Sequence, residues 1–380
     1  MKKTPVILQI LPSLNSGGVE RGTLEIASAL NSKGFKNYIV SAGGKLAKNL
    51  DKSATKHIKL NVKTKNPLKI IINSFILIFI IKKYDIDIIH ARSRAPAWSA
   101  LIASKISCIK FITSFHGVYS GKAKIKKLYN SVMLRGDKII AVSNFIKNHI
   151  RENYNFKYEA KIHVIHRGVD IEKFNIKNIN AKNTANYKKQ ISTSTKDKII
   201  VMPARITDWK GQLILLEASR KIEHKNFKIV FVGKFQKTSS YYLSLLDFIK
   251  KYHLEDKIIF FEEVTDIINF YALADLIVSP TIRPEAFGRV IVEAASLGNI
   301  VITTNHGGAA ETVIHDKTGF LIKPNNSDDL AQIINLYFSL KPSKIKAMQN
   351  AAKLHVRKNF AITNMQNKTI KLYQDIYDKK

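Results

Sequence analysis

Short β-branched, apolar runs recur along the chain, with longer amphipathic stretches between several of them. In the first half these runs are PVILQIL, NYIVSA, DIIHAR, KFITSFHG, DKIIAVS and KIHVIHRG. Continuous apolar runs of this length predict strands buried on both faces of a parallel sheet. Stretches such as Val19–Ser32 and Trp98–Ile106 carry helical spacing. Strands alternating with helices predict βαβ units and a doubly wound sheet. The pattern breaks over 171–197, which is polar and rich in Asn, Lys, Ser and Thr, and reads as a linker. It restarts with KIIVMPAR, FKIVFVGK, KIIFFEE, DLIVSPT, NIVITTN and GFLIKP. The segment Gln332–Asp378 reads as mainly helical.

The expected organisation is therefore an α/β protein with two Rossmann-like domains. Residues 1–170 form the first, 171–197 a linker, 198–360 the second, and 361–380 a final helix that returns to the first domain. A chain of 380 residues is long enough for two such cores. Sheets of this type bind ligands beyond the carboxyl ends of their strands, so chemistry is sought in the segments just after each strand.

Composition adds three points. Cys108 is the one cysteine, which excludes a disulfide within the chain and suits a reducing compartment. Its apolar surroundings predict a buried small hydrophobe. The run 68–81 is apolar but shorter than the ~20 residues that span a bilayer, and reads as a buried helix, with membrane-surface contact as the minority reading. The net charge is +33; residues 1–190 hold 35 Lys and Arg against 10 Asp and Glu, a net of +25, and the remainder only +8. Lysine-rich composition explains the total better than the asymmetry, which suggests an anionic partner for the first half.

Four segments carry candidate chemistry. Gly17 and Gly18 follow the first strand, where small residues let the backbone approach a ligand at a helix N-terminus. Their spacing is not that of a nicotinamide-dinucleotide site. Arg205 and Lys210 lie astride the turn after the first strand of the second half, two cations able to clamp a diphosphate and stabilise charge as it leaves. Glu285 and Glu293 sit around an expected helix start near Phe287 and Gly288, whose free N–H groups suit phosphate. His116 ends the strand KFITSF, well placed to reach a ligand.

Together these pieces resemble the family 4 retaining glycosyltransferases of the GT-B fold. The E-x7-E element is Glu285 and Glu293, the R-x4-K element is Arg205 and Lys210, and the glycine loop is Gly17 and Gly18. AVSNFIKNHI, VIHRGVDIEKF, GGAAETV and TGFLIKP add local matches, so that the resemblance runs from about residue 6 to 360. It implies two Rossmann-like domains facing a central cleft and transfer of a sugar from a nucleotide-sugar donor with retained anomeric configuration. It implies that Arg205 and Lys210 hold the donor diphosphate and Glu293 the ribose. Glu285 and His116 contact the sugar, with the backbone near Phe287 and Gly288 close by, and Gly17 and Gly18 close over the diphosphate. No metal or other cofactor is implied, and no Asp-x-Asp pair stands beside the donor residues. Lys234-Phe235-Gln236 and Glu262-Glu263 replace glycines usual in the family near the base, which leaves UDP, GDP and ADP open.

The resemblance also implies a hexosyltransferase acting on a glycolipid or polysaccharide acceptor in lipopolysaccharide or capsule assembly. Lys122, Lys124, Lys126 and Lys127 follow His116 and suit an anionic membrane surface on the acceptor side, at the cytoplasmic face. Two other readings compete: a nucleotide-sugar epimerase on the same fold, and a basic nucleic-acid-binding protein. The second has only the pI near 10 behind it, without a recognition motif, so nucleic acid is not expected as a partner.

Overall fold

In the computed structural model, residues 4–15, 17–119, 123–154, 156–191, 194, 196–262 and 264–379 are described. The chain divides into two units: Met1–Arg167 with Ile362–Lys380, and Gly168–Ala361.

Unit 1 holds seven strands: β1 (Ile7–Ile10), β2 (Asn37–Ser41), β3 (Thr55–Lys59), β4 (Ile88–Ala91), β5 (Lys110–Phe115), β6 (Lys138–Ala141) and β7 (Ile162–Val164). All are parallel, in the order β3-β2-β1-β4-β5-β6-β7, so the winding reverses between β1 and β4. The helices are α1 (Gly18–Ser32), α2 (Pro67–Lys83), α3 (Arg94–Ile106), α4 (Lys124–Ser131) and α5 (Asn144–Tyr154). The edge strand β3 is the one the apolar pattern misses. Its TKHIK sequence is half exposed, and an edge strand needs no second buried face.

Unit 2 holds β8 (Lys198–Pro203), β9 (Phe227–Val232), β10 (Ile258–Phe261), β11 (Leu276–Ser279), β12 (Val301–Thr304) and β13 (Phe320–Ile322). They form a parallel sheet in the order β10-β9-β8-β11-β12-β13, reversing between β8 and β11. Its helices are α6 (Ala181–Ile191), α7 (Gln212–Ser219), α8 (Ser240–Lys251), α9 (Ile267–Leu273), α10 (Arg289–Leu297), α11 (Gly307–Ala310), α12 (Ser327–Ser339) and α13 (Pro342–Phe360). The sheet has a core on each face. Ile200, Met202, Ile229 and Phe231 belong to one cluster; Ile199, Val201, Val230 and Val232 belong to the other. That is the consequence of side chains alternating along each strand. The last helix, α14 (Ile362–Tyr377), packs in unit 1, where Met365, Ile370, Leu372, Tyr373 and Ile376 join Ile26 and Leu30 of α1 over the sheet.

Three expectations need correction. The segment 171–197 is not a free linker. Within it α6 packs on α9, with Ile191 buried, Tyr187 Oη donating to Asp266 at 2.9 Å and Asn183 Nδ2 to the same carboxylate at 3.0 Å. Its polarity hid this because side-chain hydrogen bonds, more than apolar burial, fasten it. Cys108 is exposed rather than buried, because it sits in left-handed backbone just past the end of α3, where the chain turns. The helix expected at 68–81 exists as α2, but one whole face of it is exposed.

Candidate functional site

The best-built candidate site in unit 2 lies at the carboxyl ends of β8 and β11, the two strands that flank the reversal of its sheet. After β8 the chain makes a tight turn through Gly211, at φ +88 and so close to Pro280 that a Cβ would lie 2.0 Å from that carbonyl oxygen. Only glycine tolerates both conditions. The turn draws the loop after β8 against the loop after β11, and Ile282 N donates to the Trp209 carbonyl at 2.8 Å.

This packing brings Lys210 to Glu285, 75 residues apart, as a partly buried ion pair through Lys210 Nζ and Glu285 Oε1. The ammonium also lies 4.3 Å from the Trp209 ring centroid. Glu285 is fixed from behind: its carbonyl accepts from Gly308 N at 2.7 Å. Beside it, His306 Nε2 donates to the Thr281 carbonyl at 2.9 Å. Burial holds the His306 imidazole below its ordinary value, with the Thr281 hydrogen bond and then the Glu285 charge offsetting part of that.

Arg205 is exposed and makes no ion pair among the described residues. It lines a hollow of about 790 Å³ with Lys234, Phe235, Ser239 and Tyr241 at the ends of β8 and β9. Phe287 is buried, edge-on to Phe360 with centroids 5.7 Å apart, and Gly288 precedes α10. Glu293 is 6 % exposed. Its Oε2 accepts from Tyr271 Oη at 3.2 Å and its Oε1 lies 3.5 Å from Arg289 Nε. The structure thus joins Lys210 and Glu285 directly, sets Arg205 on the hollow after β8 and β9, and turns Glu293 inward onto α9.

Unit 1 has its own cluster at strand ends. Arg92 follows β4, His116 follows β5 and Arg167 follows β7. Both arginines are buried. Arg92 donates through Nε and Nη2 to Gln9 Oε1, at 2.9 and 2.6 Å. His90 bridges Tyr373 Oη and Ser114 Oγ, each at 2.6 Å. Arg167 donates through Nη2 to the Gly18 carbonyl, at the first turn of α1 behind Gly17, and lies 3.9 Å from Glu25. Gly22 must be small, since a Cβ there would come within 2.4 Å of the Arg167 guanidinium.

Arg167 Nη1 approaches His116 Nδ1 at 3.4 Å. A guanidinium only donates, so Nδ1 accepts and the neutral ring carries its proton on Nε2. That Nε2 is buried and has no hydrogen-bond partner among the described residues. Burial, then the charges of Arg167 and Arg92, holds His116 well below the ordinary histidine value. Burial does the same to His90, helped by Arg92, and pushes the Tyr373 hydroxyl up to about 12.

The motif reading misses Arg92, Arg167, His90, Tyr373, Trp209 and His306. A signal for three of them was present, because HAR and HRG end strand-like runs as SFHG does. Lys124, Lys126 and Lys127 are exposed on α4, while Lys122 lies outside the described residues, as does Glu263. No group of three or more His, Cys, Asp or Glu among the described residues is placed to hold a metal ion. No helix among them is long and apolar enough to cross a membrane.

Two family models match. Glycosyltransferase Family 4 covers residues 16–173 and Glycosyl transferases group 1 covers 183–355. The crystal structure of a glycosyltransferase from Rickettsia africae ESF-5 is 42 % identical, covering 99 % of this chain and 100 % of that one, with a TM-score of 0.92. Anabaena Alr3699/HepE in complex with UDP and glucose is 22 % identical over 98 % of this chain and 100 % of its own, with a TM-score of 0.84. A lipopolysaccharide 1,2-N-acetylglucosaminetransferase of Salmonella typhimurium LT2 is 28 % identical over 52 % of each chain.

Proposed function

The chain belongs to the family 4 glycosyltransferases and has the GT-B fold, and on that premise we propose that it is a retaining hexosyltransferase using a nucleotide-sugar donor. One observation carries the reading: the Lys210–Glu285 pair next to the β8–β11 reversal, with Arg205 on the hollow beside it. Arg205 and Lys210 hold the donor diphosphate, and the N-terminus of α10 after Gly288 adds positive potential. Glu285, already oriented by Lys210 and the Gly308 amide, accepts from sugar hydroxyls. Glu293 takes the ribose hydroxyls; its two oxygens accept more than one donor each, so the Tyr271 contact is compatible with that role.

In the reaction the bond from the anomeric carbon to the diphosphate oxygen breaks. The acceptor hydroxyl oxygen bonds to that carbon from the same face, and its proton passes to the departing phosphate oxygen. Charge grows on the diphosphate assigned to Arg205 and Lys210, so on this reading their contribution is largest in the transition state. No metal is assigned a part. From unit 1, His116 Nε2–H is assigned a hydroxyl of the transferred sugar, and Gly17 and Gly18 the donor diphosphate.

The UDP and glucose in the Anabaena structure and the Salmonella relative's name support a UDP-sugar donor and a glycolipid or polysaccharide acceptor in envelope assembly. We place the reaction at the cytoplasmic face of a membrane, with unit 1 towards an anionic surface. The test is a thermal-shift screen against UDP-, GDP- and ADP-sugars, then transfer of labelled sugar onto lipid-linked acceptors. The reading expects stabilisation by one nucleotide class and transfer that requires acceptor. Conversion of the donor sugar without acceptor would favour an epimerase instead.

A further inference from the structure

The outer face of α2 is the strongest unexplained feature of the surface. The helix starts cleanly: the Asn66 side chain accepts from Lys69 N, and Pro67 occupies the first turn. Leu68, Ile71, Ile72, Phe75, Ile76 and Phe79 are all exposed, Phe75 and Phe79 at 64 % each. Their spacing is a single helical stripe. The opposite stripe, with Asn73, Ser74, Leu77, Ile80 and Ile81, is buried, and α2 packs against α3. A helix apolar all round normally sits inside a core, yet half of this one is uncovered. At ~1.5 Å per residue α2 is about 25 Å long, less than the ~30 Å of a hydrocarbon layer.

Charge identifies the occupant. Residues 52–136 contain 17 Lys and Arg and only two acids, Asp85 and Asp87. Asp87 is engaged internally, accepting from Val6 N at 3.0 Å. Lys65 and Lys69 at one end of the stripe and Lys82 and Lys83 at the other are exposed. Lys65 Nζ lies 5.9 Å from the Tyr129 ring, which sets the start of α2 beside α4. There Ile125, at 81 % exposure, and Leu128 stand among Lys124, Lys126 and Lys127. A second copy of this face would bring two strongly basic surfaces together, whereas anionic headgroups complement it.

We propose that α2, extended by α4, docks on an anionic lipid bilayer, lying in the plane of the interface with its stripe among the acyl chains and its lysines at the headgroups. Lysine stems can reach along the apolar surface while their ammonium groups stay at headgroup level. The inference deepens the membrane part of the proposed function by naming the surface and the lipid chemistry.

The test is flotation of the intact protein with vesicles of phosphatidylcholine alone and of phosphatidylcholine mixed with phosphatidylglycerol, beside the variant Phe75→Ser/Phe79→Ser. Both side chains are exposed, so the variant should keep its melting temperature. The wild type is expected to float with the mixed vesicles, and the variant to lose about thirtyfold in partitioning. Absent flotation, equal flotation of the variant, or a lipid-free dimer that the variant abolishes would each overturn the proposal. Stabilisation by nucleotide-sugar is read in the same samples. If it persists without flotation, only the docking surface fails; if flotation persists without it, only the donor reading fails.

Discussion

The two strand-end clusters use the same kinds of residue in opposite settings. In unit 1, Arg92 and Arg167 are buried, and their guanidinium groups are aimed by Gln9 and by the Gly18 carbonyl. In unit 2, Arg205 is exposed and has no ion partner among the described residues, and the Lys210 ammonium pairs with Glu285 beside the Trp209 ring. The contrast separates two ways of preparing a site. Burial fixes orientation in advance and ties the groups to the stability of the fold. Exposure leaves a cation hydrated until a ligand orders it, so its energy goes into binding and turnover.

The largest effect should come from the unit 2 cluster and fall mainly on activity. Lys210→Ala is expected to lose roughly 3 kcal/mol of transition-state stabilisation, about a hundredfold in turnover. Its melting temperature should fall only by what the lost pair with Glu285 contributes, and a loss of only a few-fold in turnover in a folded protein would remove Lys210 from the diphosphate. The converse substitution, Arg167→Met, should cost about 2 kcal/mol of stability, because it removes a buried charge-assisted bond to the Gly18 carbonyl and the guanidinium beside the Glu25 carboxylate. Chemical denaturation measures this, and an unchanged midpoint would break the comparison.

The smallest effect, counted per residue and per pH unit, is a pH dependence. His90 and His116 have folded-state values depressed below the ordinary 6.5, by burial first and neighbouring cations second. Their neutral forms contribute fully above that value. As the pH falls below it, the unfolded chain takes up protons that the folded one refuses, so stability declines by about 1.4 kcal/mol per pH unit for each such histidine. Hydrogen exchange followed from neutral pH down to about 5 should show unit 1 weakening before unit 2. Equal protection of both units across that range would count against the assignment.

What could be read from the sequence follows the physics of each feature. Strands such as Lys198–Pro203 are legible because burial on both faces demands an unbroken apolar run. The edge strand Thr55–Lys59 and the helix Ala181–Ile191 are not, because partial exposure and side-chain hydrogen bonds put few constraints on hydrophobicity. The motif residues Arg205, Lys210 and Glu285 are legible from spacing; that Lys210 and Glu285 meet depends on Gly211 fitting under Pro280, a contact between strands far apart in sequence. Arg167 stays hidden because its partners lie on α1 and after β5. The exposed stripe of α2 is hidden for another reason: apolar residues look alike whether they meet core or lipid.

Titration calorimetry with UDP on the wild type and on Arg205→Ala addresses the donor assignment most directly. The wild type should bind UDP saturably and the variant at least tenfold more weakly, a difference of about 1.4 kcal/mol or more. Equal affinity for the two proteins would contradict the assignment.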